Sequence, residues 1–344
     1  MKKFYGVIGN PPYQEEQAGD NKQFAPPIYH HFIDESQKVS ERVELIHPAR
    51  FLFRAGSTPK AWNEKMLADP HLEVVDYQAD ASSVFGPAVE IKGGVAVTYW
   101  DSSRDFGSIG TFSAYPELNT VMKKAAPSSE EDSLAAIIYV QNRFDLDALY
   151  GEHPEYRNVI GSGGNDKRFR NNIFDKIPEF TEAARAANDI PVYGVMSNRR
   201  VWRYLPRRYF DLSHENISKW KVLVARVNGS GSFGEVLSTP LIEEPMKGYT
   251  QSFIGVGSFE SADEAEAALR YIKSKFARAM LGILKITQDN NRSAWTKIPL
   301  QDFTSSSDID WSQGVADIDR QLYAKYGLSD DEIAFIESHV KEMG

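Results

Sequence analysis

Residues 4–13 read Phe4-Tyr5-Gly6-Val7-Ile8-Gly9-Asn10-Pro11-Pro12-Tyr13. The first six are mostly apolar, which is typical of a short buried strand. The two prolines each fix φ at about −65° and remove a backbone N–H, so the turn presents carbonyl acceptors with few competing donors. The stretch therefore predicts a strand that ends in an acceptor-rich turn.

This Asn-Pro-Pro-Tyr turn (residues 10–13) carries the groups needed to hold a planar amine. Asn10 adds a side-chain acceptor oxygen, and Tyr13 offers a flat aromatic face. A ring with an exocyclic amine, such as adenine, can donate both amino hydrogens to two carbonyls while it stacks on the tyrosine. Electron density then moves toward the amine nitrogen, which prepares it to attack an electrophilic methyl group. The alternative is a plain Pro-rich turn after a strand.

Composition limits the class of protein. The chain has 344 residues, enough for two domains, with 42% hydrophobic and 25% charged residues. It contains no cysteine, which excludes disulfides, thiolate zinc sites and a cysteine nucleophile. No apolar run is long enough to span a membrane, and the Asn-Pro-Pro-Tyr turn interrupts any signal-peptide core after Met1-Lys2-Lys3. A cytoplasmic location is the simplest expectation.

Charge is distributed unevenly along the chain. The net charge is −9, but residues 191–226 carry eight bases and two acids, whereas residues 301–344 carry ten acids and three bases. The basic segment is interleaved with aromatic residues, a pattern that favours nucleic-acid contact over a merely solvated face. These rings are equally compatible with core positions of strands. The candidate DNA contacts are Arg199, Arg200, Arg203, Arg207 and Arg208.

Hydrophobic periodicity predicts the organisation of the chain. The first hundred residues alternate strands and helices, which indicates a mostly parallel, doubly wound α/β sheet. We predict this domain over residues 1–110, a connector with helices and a Gly-rich basic loop over 111–190, and a mixed α+β domain with C-terminal helices over 191–344. Within the third segment, Ser261 and Glu264 form a candidate capping box for one long helix that runs to about residue 284.

A glycine motif in the third segment matches only part of a nucleotide-binding loop. Gly229, Gly231 and Gly234 match the G-x-G-x-x-G pattern after a predicted strand. A nucleotide-binding loop of this kind needs a helix directly after it, whereas residues 235–242 read as another strand. A hairpin with glycines that let the backbone approach DNA phosphates is therefore predicted, and a cofactor site is not.

Further segments follow the Asn-Pro-Pro-Tyr turn in a set order. They are a helix, a strand that ends in proline, a Val-Phe pair and a closing strand, at residues 28–33, 45–51, 83–85 and 91–101. In this order the chain resembles the gamma-class N6-adenine DNA methyltransferases of type II restriction–modification systems. Residues 295–303 and 308–311 are similar to the end of the recognition domains in these enzymes.

The resemblance implies a fold and a mechanism. The fold is a partial Rossmann-like methyltransferase sheet followed by a mixed α+β target-recognition domain that binds double-stranded DNA. An adenine is flipped out of the duplex, and the Asn10 side chain and the Pro11 carbonyl, with Pro12 completing the turn, accept its amino hydrogens. Tyr13 stacks on the base, and Phe85 makes a second aromatic contact, unless it is a plain core residue. The amine then attacks the methyl group of S-adenosyl-L-methionine in line.

One departure from the family concerns the methyl donor. In the gamma class a glycine turn for S-adenosylmethionine precedes the catalytic motif, but only nine residues precede Asn10 in this sequence. The cofactor-binding residues are thus unknown, and the first strand is expected to have an uncovered edge. One hypothesis is a catalytic and recognition half that needs a second chain; the other is a non-catalytic DNA-recognition module or an inactive truncated methyltransferase. No metal-dependent nuclease motif is recognised, so no cleavage is assigned.

Overall fold

A computed structural model describes residues 4–15, 25–54, 57–87, 89, 91, 93–229, 231–285 and 288–343. The chain divides into two units, Met1–Pro116 and Glu117–Gly344. Met1-Lys2-Lys3, which entered the signal-peptide argument, and Lys92, within the motif at 91–101, lie outside the described residues. In the described part of the chain, no helix has the length and apolar character required to cross a membrane.

The first unit is built from strands and helices that alternate along the chain. The sequence pattern predicts strands over 4–8, 43–47, 72–77 and 95–100 and helices over 27–39 and 59–69, and these are confirmed with shifts of one to three residues at their ends. In chain order they are β1 Phe4–Gly9, α1 Tyr29–Val39, β2 Ser40–Pro48, a 3-10 helix Ala49–Phe53, α2 Lys60–Ala68, β3 Leu72–Gln78, α3 Ser82–Phe85 and β4 Val95–Asp101. This unit has the mixed α/β character that its sequence pattern indicates.

The strands of this unit form one sheet in the order β1-β2-β4-β3. β1 and β2 pair in parallel, whereas β4 is antiparallel to both β2 and β3. Only one of these three strand pairings is parallel, so the prediction of a mostly parallel sheet is wrong. The reason is that β4, the last strand, inserts between β2 and β3 and runs opposite to both. β1, β2 and β3 nevertheless run in the same direction, so their carboxyl ends lie at one edge of the sheet.

A glycine permits this insertion. Gly94 directly precedes β4 and has a φ of +74°, a conformation that other residues rarely adopt. A Cβ atom at this position would lie 2.3 Å from the carbonyl oxygen of Gln78, at the end of β3. The backbone of the β4 entry can therefore approach β3 only with glycine here.

One face of the sheet is packed against α1 and α2. On β2, Val43 and Leu45 alternate with Glu44 and Ile46; the first two are buried in a core shared with both helices, and the second two are half-buried. This period of two is the mark of a sheet with one covered face. The expected cover of both faces is therefore not seen within the described residues.

A buried histidine ties the core together. The ring of His47 stacks on Tyr29 with centroids 5.6 Å apart and planes 6° apart. Its Nδ1 lies 3.2 Å from the Pro48 carbonyl and its Nε2 lies 2.8 Å from the Thr98 hydroxyl. Since a carbonyl only accepts, Nδ1 carries the proton and Nε2 accepts from the threonine. Burial lowers the pKa of His47 to about 4, so the ring is neutral at pH 7.

The two edge strands of this sheet differ in character. β1 exposes 57% of Phe4, 74% of Tyr5 and 84% of Ile8, and among the described residues it pairs only with β2. At the other edge, β3 has a register irregularity between Val74 and Asp76, and such bulges discourage further strand pairing. The prediction of a buried first strand is therefore wrong, because β1 lies at the end of the sheet and most of its residues are exposed. Whether further polypeptide covers its apolar edge stays a prediction.

The second unit contains two further sheets, ordered β10-β6-β7 and β5-β11-β8-β9. Their strands are β5 Ile138–Tyr139, β6 Ile190–Met196, β7 Arg199–Leu205, β8 Trp220–Ala225, β9 Leu241–Glu243, β10 Gly248–Tyr249 and β11 Phe253–Phe259. The α-helices are α4 Pro116–Ala125, α5 Leu146–Glu152, α6 Gly161–Gly164, α7 Ile173–Lys176, α8 Ala262–Lys273, α9 Lys275–Gly282, α10 Val315–Lys325 and α11 Asp330–His339. Short 3-10 helices occur at Leu134–Ile137, Pro154–Asn158, Arg207–Tyr209 and Arg292–Trp295.

Two hydrophobic cores dominate this unit. One joins β8 and β11 to α4, α8, α9, α10 and α11, and the other joins the β6–β7 hairpin to α5 and α7. Residues on both sides of position 190 share the second core. The division of this unit into a connector and a recognition domain stays a prediction.

The predicted long helix after Ser261 is two helices. Ser261 caps the first one, since its hydroxyl accepts from the Glu264 N–H at 3.2 Å. The predicted capping box is incomplete, because the Glu264 carboxylate accepts from the Glu260 N–H instead of that of Ser261. The chain turns at Ser274, whose hydroxyl accepts from the Ala277 N–H and caps α9. The buried carboxylate of Asp319 on α10 accepts from the first two N–H groups of α9, at 3.0 and 2.9 Å. A partner far away in sequence thus stabilises the break, which periodicity alone does not reveal.

The glycine motif does not lead into a helix. Gly229, Gly231 and Gly234 all have positive φ, and the described chain after them is irregular as far as β9. The strand predicted over 235–242 is wrong for most of its length and begins only at Leu241. Phe233 lies in the loop and packs against Phe335 of α11, with centroids 5.7 Å apart. This loop is therefore anchored to the core through Phe233, and its approach to DNA phosphates stays a prediction.

Candidate functional site

The candidate site lies at the carboxyl edge of the first sheet. Open sheets with parallel strands bind ligands at the carboxyl ends of those strands, where the connecting loops meet. β1 leads into the Asn-Pro-Pro-Tyr turn, β2 leads into the 3-10 helix Ala49–Phe53, and β3 leads into α3. The sheet direction therefore brings together loops that are up to 70 residues apart in sequence.

Backbone hydrogen bonds hold the Asn-Pro-Pro-Tyr turn against the start of α1. The carbonyl of Tyr13 accepts from the Ile28 N–H at 3.1 Å, and the Glu15 N–H donates to the Pro26 carbonyl at 3.0 Å. Asn10, at the end of β1, is exposed. The turn is thus anchored at its far end, while Asn10 at its start remains accessible to a ligand.

Tyr13 is half-buried and packs against the core of the first unit. Burial raises the pKa of its hydroxyl, and the nearby Asn10 side chain partly opposes that shift. Within the described residues, this buried hydroxyl lacks a hydrogen-bond partner of good geometry. The Tyr13 hydroxyl therefore keeps its proton at neutral pH, and the ring is an uncharged aromatic surface.

Phe85 lies beside Tyr13. The two ring centroids are 6.3 Å apart, and the planes meet at 65° in an edge-on arrangement. Phe85 ends α3, a single turn that begins with the Ser82 N–H donating to the Asp80 carboxylate at 2.9 Å. Hydrogen bonds from Ser82 lower the pKa of Asp80, so this carboxylate is ionised when it caps the turn. Tyr13 thus contacts Phe85 and lies close to Asn10, and their role in binding a base stays a prediction.

Three further aromatic residues at this edge were missed by sequence reasoning. Phe53 after β2, Tyr77 in β3 and Phe112 form a cluster in which each pair of centroids is 5.5 or 5.6 Å apart. Phe53 remains 37% exposed. For Phe53 after β2 and Tyr77 near the end of β3 the shared direction of these strands was the available signal, whereas Phe112 follows the antiparallel β4 and had no such signal. Tyr77 and Phe112 pack against the same core as Tyr13.

The arginines predicted to contact DNA do not form one patch. Arg199 and Arg200 lie at the start of β7, and Arg207 and Arg208 lie beyond its end. Seven or eight residues of extended chain separate the two pairs by roughly 25 Å. Arg200 is bound internally, since its guanidinium donates to the carbonyls of Ser238 and Thr239 at 2.8 and 3.0 Å.

The remaining three arginines are also engaged within the unit. Arg203 donates to Glu182 at 3.1 Å, and Arg208 makes a bidentate pair with Glu152 at 2.7 and 2.8 Å. This pair lowers the pKa of Glu152 to about 2. Arg207 approaches only the sulfur of a methionine, at 3.9 Å. Four of the five predicted contacts therefore have internal partners that sequence cannot reveal, and that of Arg207 is only a methionine sulfur.

A second basic cluster follows the Gly-rich loop. The side chain of Asp166 is 96% buried. Its carboxylate accepts two hydrogen bonds from Arg168 at 2.7 and 3.0 Å and forms an ion pair with Arg170 at 3.0 Å. Hydrogen bonds from Arg168 lower the pKa of Asp166. Lys167, between these residues, is 49% exposed in its side chain. One buried acid thus orients two half-exposed guanidinium groups.

The sequence of the first unit matches a known family. Residues 1–85 match the model of the Eco57I restriction-modification methylases. The matched region contains the Asn-Pro-Pro-Tyr turn and ends at Phe85. This match supports a restriction–modification methylase relationship for that part of the chain, and with it a DNA methylase role.

Other comparisons add little detail. The solved structure of the type IIG restriction endonuclease BpuSI is similar over 92% of this chain and 48% of that chain, with 12% identity and a TM-score of 0.34. The chain thus spans about half the length of that protein. No curated protein matches this chain.

Proposed function

We propose that this chain carries the base-binding part of a site-specific DNA adenine-N6 methyltransferase in a bacterial restriction–modification system. The observation that supports this most is the convergence of Asn10, Tyr13 and Phe85 at the carboxyl edge of the sheet, with the two rings 6.3 Å apart. The family match over residues 1–85 supports the methylase part of the proposal.

In this proposal the target adenine leaves the duplex and stacks on Tyr13, while Phe85 meets the base from the side. The Asn10 side-chain oxygen and the Pro11 carbonyl accept the two hydrogens of the N6 amine. The prolines contribute no N–H that competes for these acceptors. The chain therefore recognises the amine by its two donors and the base by its flat surface.

The chemistry requires little more than positioning. S-adenosyl-L-methionine supplies an electrophilic methyl group; the N6–carbon bond forms as the carbon–sulfur bond breaks, and a proton then leaves N6 to water. Asn10 and Pro11 hold the lone pair of N6 toward the incoming methyl carbon and stabilise the positive charge that develops on the amine. No covalent enzyme intermediate is needed.

The described residues fit the adenine but not the methyl donor. The glycine motif at 229–234 continues into irregular chain, and a helix N-terminus directed at a ligand does not follow it. We therefore assign no donor contacts to these residues. We propose that further polypeptide, in a longer chain or in a second chain, pairs with the exposed edge of β1 and holds S-adenosylmethionine next to the turn.

Double-stranded DNA is the proposed partner of the second unit. The β6–β7 hairpin and the segment 167–170 offer exposed or half-exposed cations, with Arg199, Arg207 and Lys167 as phosphate or base contacts. The other three arginines hold these surfaces in place through their internal partners: Arg200, Arg203 and Arg208. The exposed atoms of these side chains also contact DNA in this proposal.

The test measures methyl transfer from labelled S-adenosylmethionine to duplex DNA, with the polypeptide encoded beside this chain present and absent, and identifies N6-methyladenine by mass spectrometry. Asn10→Ala is expected to lower the rate by about 100-fold or more, the cost of losing one preorganised hydrogen-bond partner. Asn158→Ala, at an exposed asparagine of the second unit, is the matched control and keeps full activity.

Activity that survives Asn10→Ala would refute the role of the turn. If no pairing gives methylation while specific DNA binding persists, the chain is a DNA-recognition module and the enzymatic proposal fails.

A further inference from the structure

The tip of the β6–β7 hairpin has an unusual composition. Met196 pairs with Arg199, so Ser197 and Asn198 form a two-residue turn. Their φ angles are +49° and +60°, the conformation of a type I′ turn, for which Asn-Gly is the favoured sequence. Here the turn has no glycine, and it is followed by two arginines. All four residues from 197 to 200 are exposed.

The root of the hairpin, defined here as Tyr193, Gly194 and the paired Trp202, is packed on both faces of its sheet. On one face Gly194 lies so close to Phe174 that a Cβ would be 2.4 Å from its ring. On the other face Tyr193 lies between Trp202 and Phe253, with both centroid distances 4.8 Å. A tip on such a root projects at a fixed position, so its backbone is preorganised for a ligand.

Among the described residues, the side chains of Asn198 and Arg199 at the tip have no hydrogen-bond or ion-pair partner. Of the five arginines in this region, all of them described, Arg199 alone makes neither a hydrogen bond nor an ion pair, and the same holds for the side chain of Asn198 among the described residues. Its neighbour Arg200 instead fixes the hairpin to the carbonyls of Ser238 and Thr239. One arginine therefore secures the hairpin, and the other is left for an external acceptor.

We propose that this tip enters the major groove of DNA, where Arg199 reads guanine and Asn198 reads adenine. The major groove of B-DNA admits a two-stranded ribbon, and its edges present the paired acceptors of guanine to arginine and the donor–acceptor pair of adenine to asparagine. The positive charge at the tip complements the potential of the groove. This inference rests on the proposed function only in taking DNA as the partner.

The test uses the full chain and a randomised duplex library, with sequencing of the bound fraction. Arg199→Ala is expected to lower the preference for guanine at one position by about 10- to 100-fold, because a bidentate contact to a base provides discrimination of that order. Arg199→Lys keeps the charge and loses the same preference. Asn198→Gly keeps or improves the turn geometry and loses the preference for adenine, which separates readout from folding.

Arg320→Ala is the matched control, because Arg320 is an exposed arginine on α10, and it leaves the selected sequence unchanged. If Arg199→Ala weakens binding to all sequences equally and the selected sequence persists, Arg199 contacts phosphate and the inference is overturned, while DNA binding and methylation stand. If the wild-type chain selects no duplex at all, both the inference and the DNA-binding role fail.

Discussion

At the scale of residues, the candidate site is an uncharged surface. Tyr13 and Phe85 supply the rings, and Asn10 supplies an exposed amide. Since the hydroxyl of Tyr13 is buried and its pKa is raised, the tyrosine contributes its face rather than its acidity. The chemistry of the site thus depends on shape and on hydrogen-bond acceptors.

Two substitutions at Tyr13 separate the ring from the hydroxyl. Tyr13→Phe keeps the stacking surface and removes a buried hydroxyl that lacks a good partner among the described residues, so we expect nearly full methyl transfer and equal or higher stability. Tyr13→Ala loses base stacking of about 1–3 kcal/mol, a loss of roughly 10- to 100-fold in rate. Steady-state methylation and thermal unfolding check both. Equal loss in the two variants would assign the role to the hydroxyl.

The buried His47 predicts a pH dependence of the first unit. Its folded pKa of about 4 is below the unfolded value of 6.5, so the unfolded state binds the proton first as pH falls. The contribution of His47 to stability is therefore complete above pH 6.5 and is lost between pH 6.5 and 4, by up to about 3 kcal/mol. Hydrogen exchange of residues 40–101 as a function of pH measures it.

His47→Gln serves as the control for this prediction, since glutamine does not titrate. We expect it to lower stability at neutral pH and to flatten the dependence between pH 6.5 and 4. An unchanged slope in this variant would show that other groups produce the effect.

At the scale of elements, the direction of strands explains both the site and the open edge. The shared direction of β1, β2 and β3 places their following loops together, and the position of β1 at the end of the sheet exposes its apolar side chains. The same strand therefore leads into the candidate turn and carries the surface on which we propose that further polypeptide docks.

A lysine on β1 tests this edge. Ile8→Lys places a charge on an unpaired strand edge at a residue that is 84% exposed, so we expect less self-association with little change in the unfolding temperature. The matched control is Val75→Lys on β3, 56% exposed at the irregular edge, where we expect a smaller effect. Light scattering and sedimentation measure self-association. Equal effects of the two lysines would argue against a special role for β1.

At the scale of the whole molecule, the chain divides into two units, each with hydrophobic cores of its own. The first unit has a core built on the sheet that carries the Asn-Pro-Pro-Tyr turn, and the second has two large cores of its own. Each unit thus contains the buried apolar surface that a domain of its size needs.

This organisation predicts that Glu117–Gly344 folds by itself. The fragment is expected to unfold in one cooperative transition and to select the same DNA sequence as the full chain, but not to support methylation. Calorimetry and the library selection described above check this. A fragment that lacks a cooperative transition would show that the second unit depends on the first.

The sequence by itself determined the local features of this protein. The period of apolar residues located most strands and helices, Ser261 marked a helix start, and the Asn-Pro-Pro-Tyr turn identified the candidate site, because each of these depends on residues adjacent in the chain. Only the tertiary structure decided the insertion of β4, the contact of Tyr13 with Phe85, the helix break at Ser274 and which arginines have acidic partners. These features arise from pairs of residues far apart in sequence, whose meeting is set by long-range packing rather than by local periodicity.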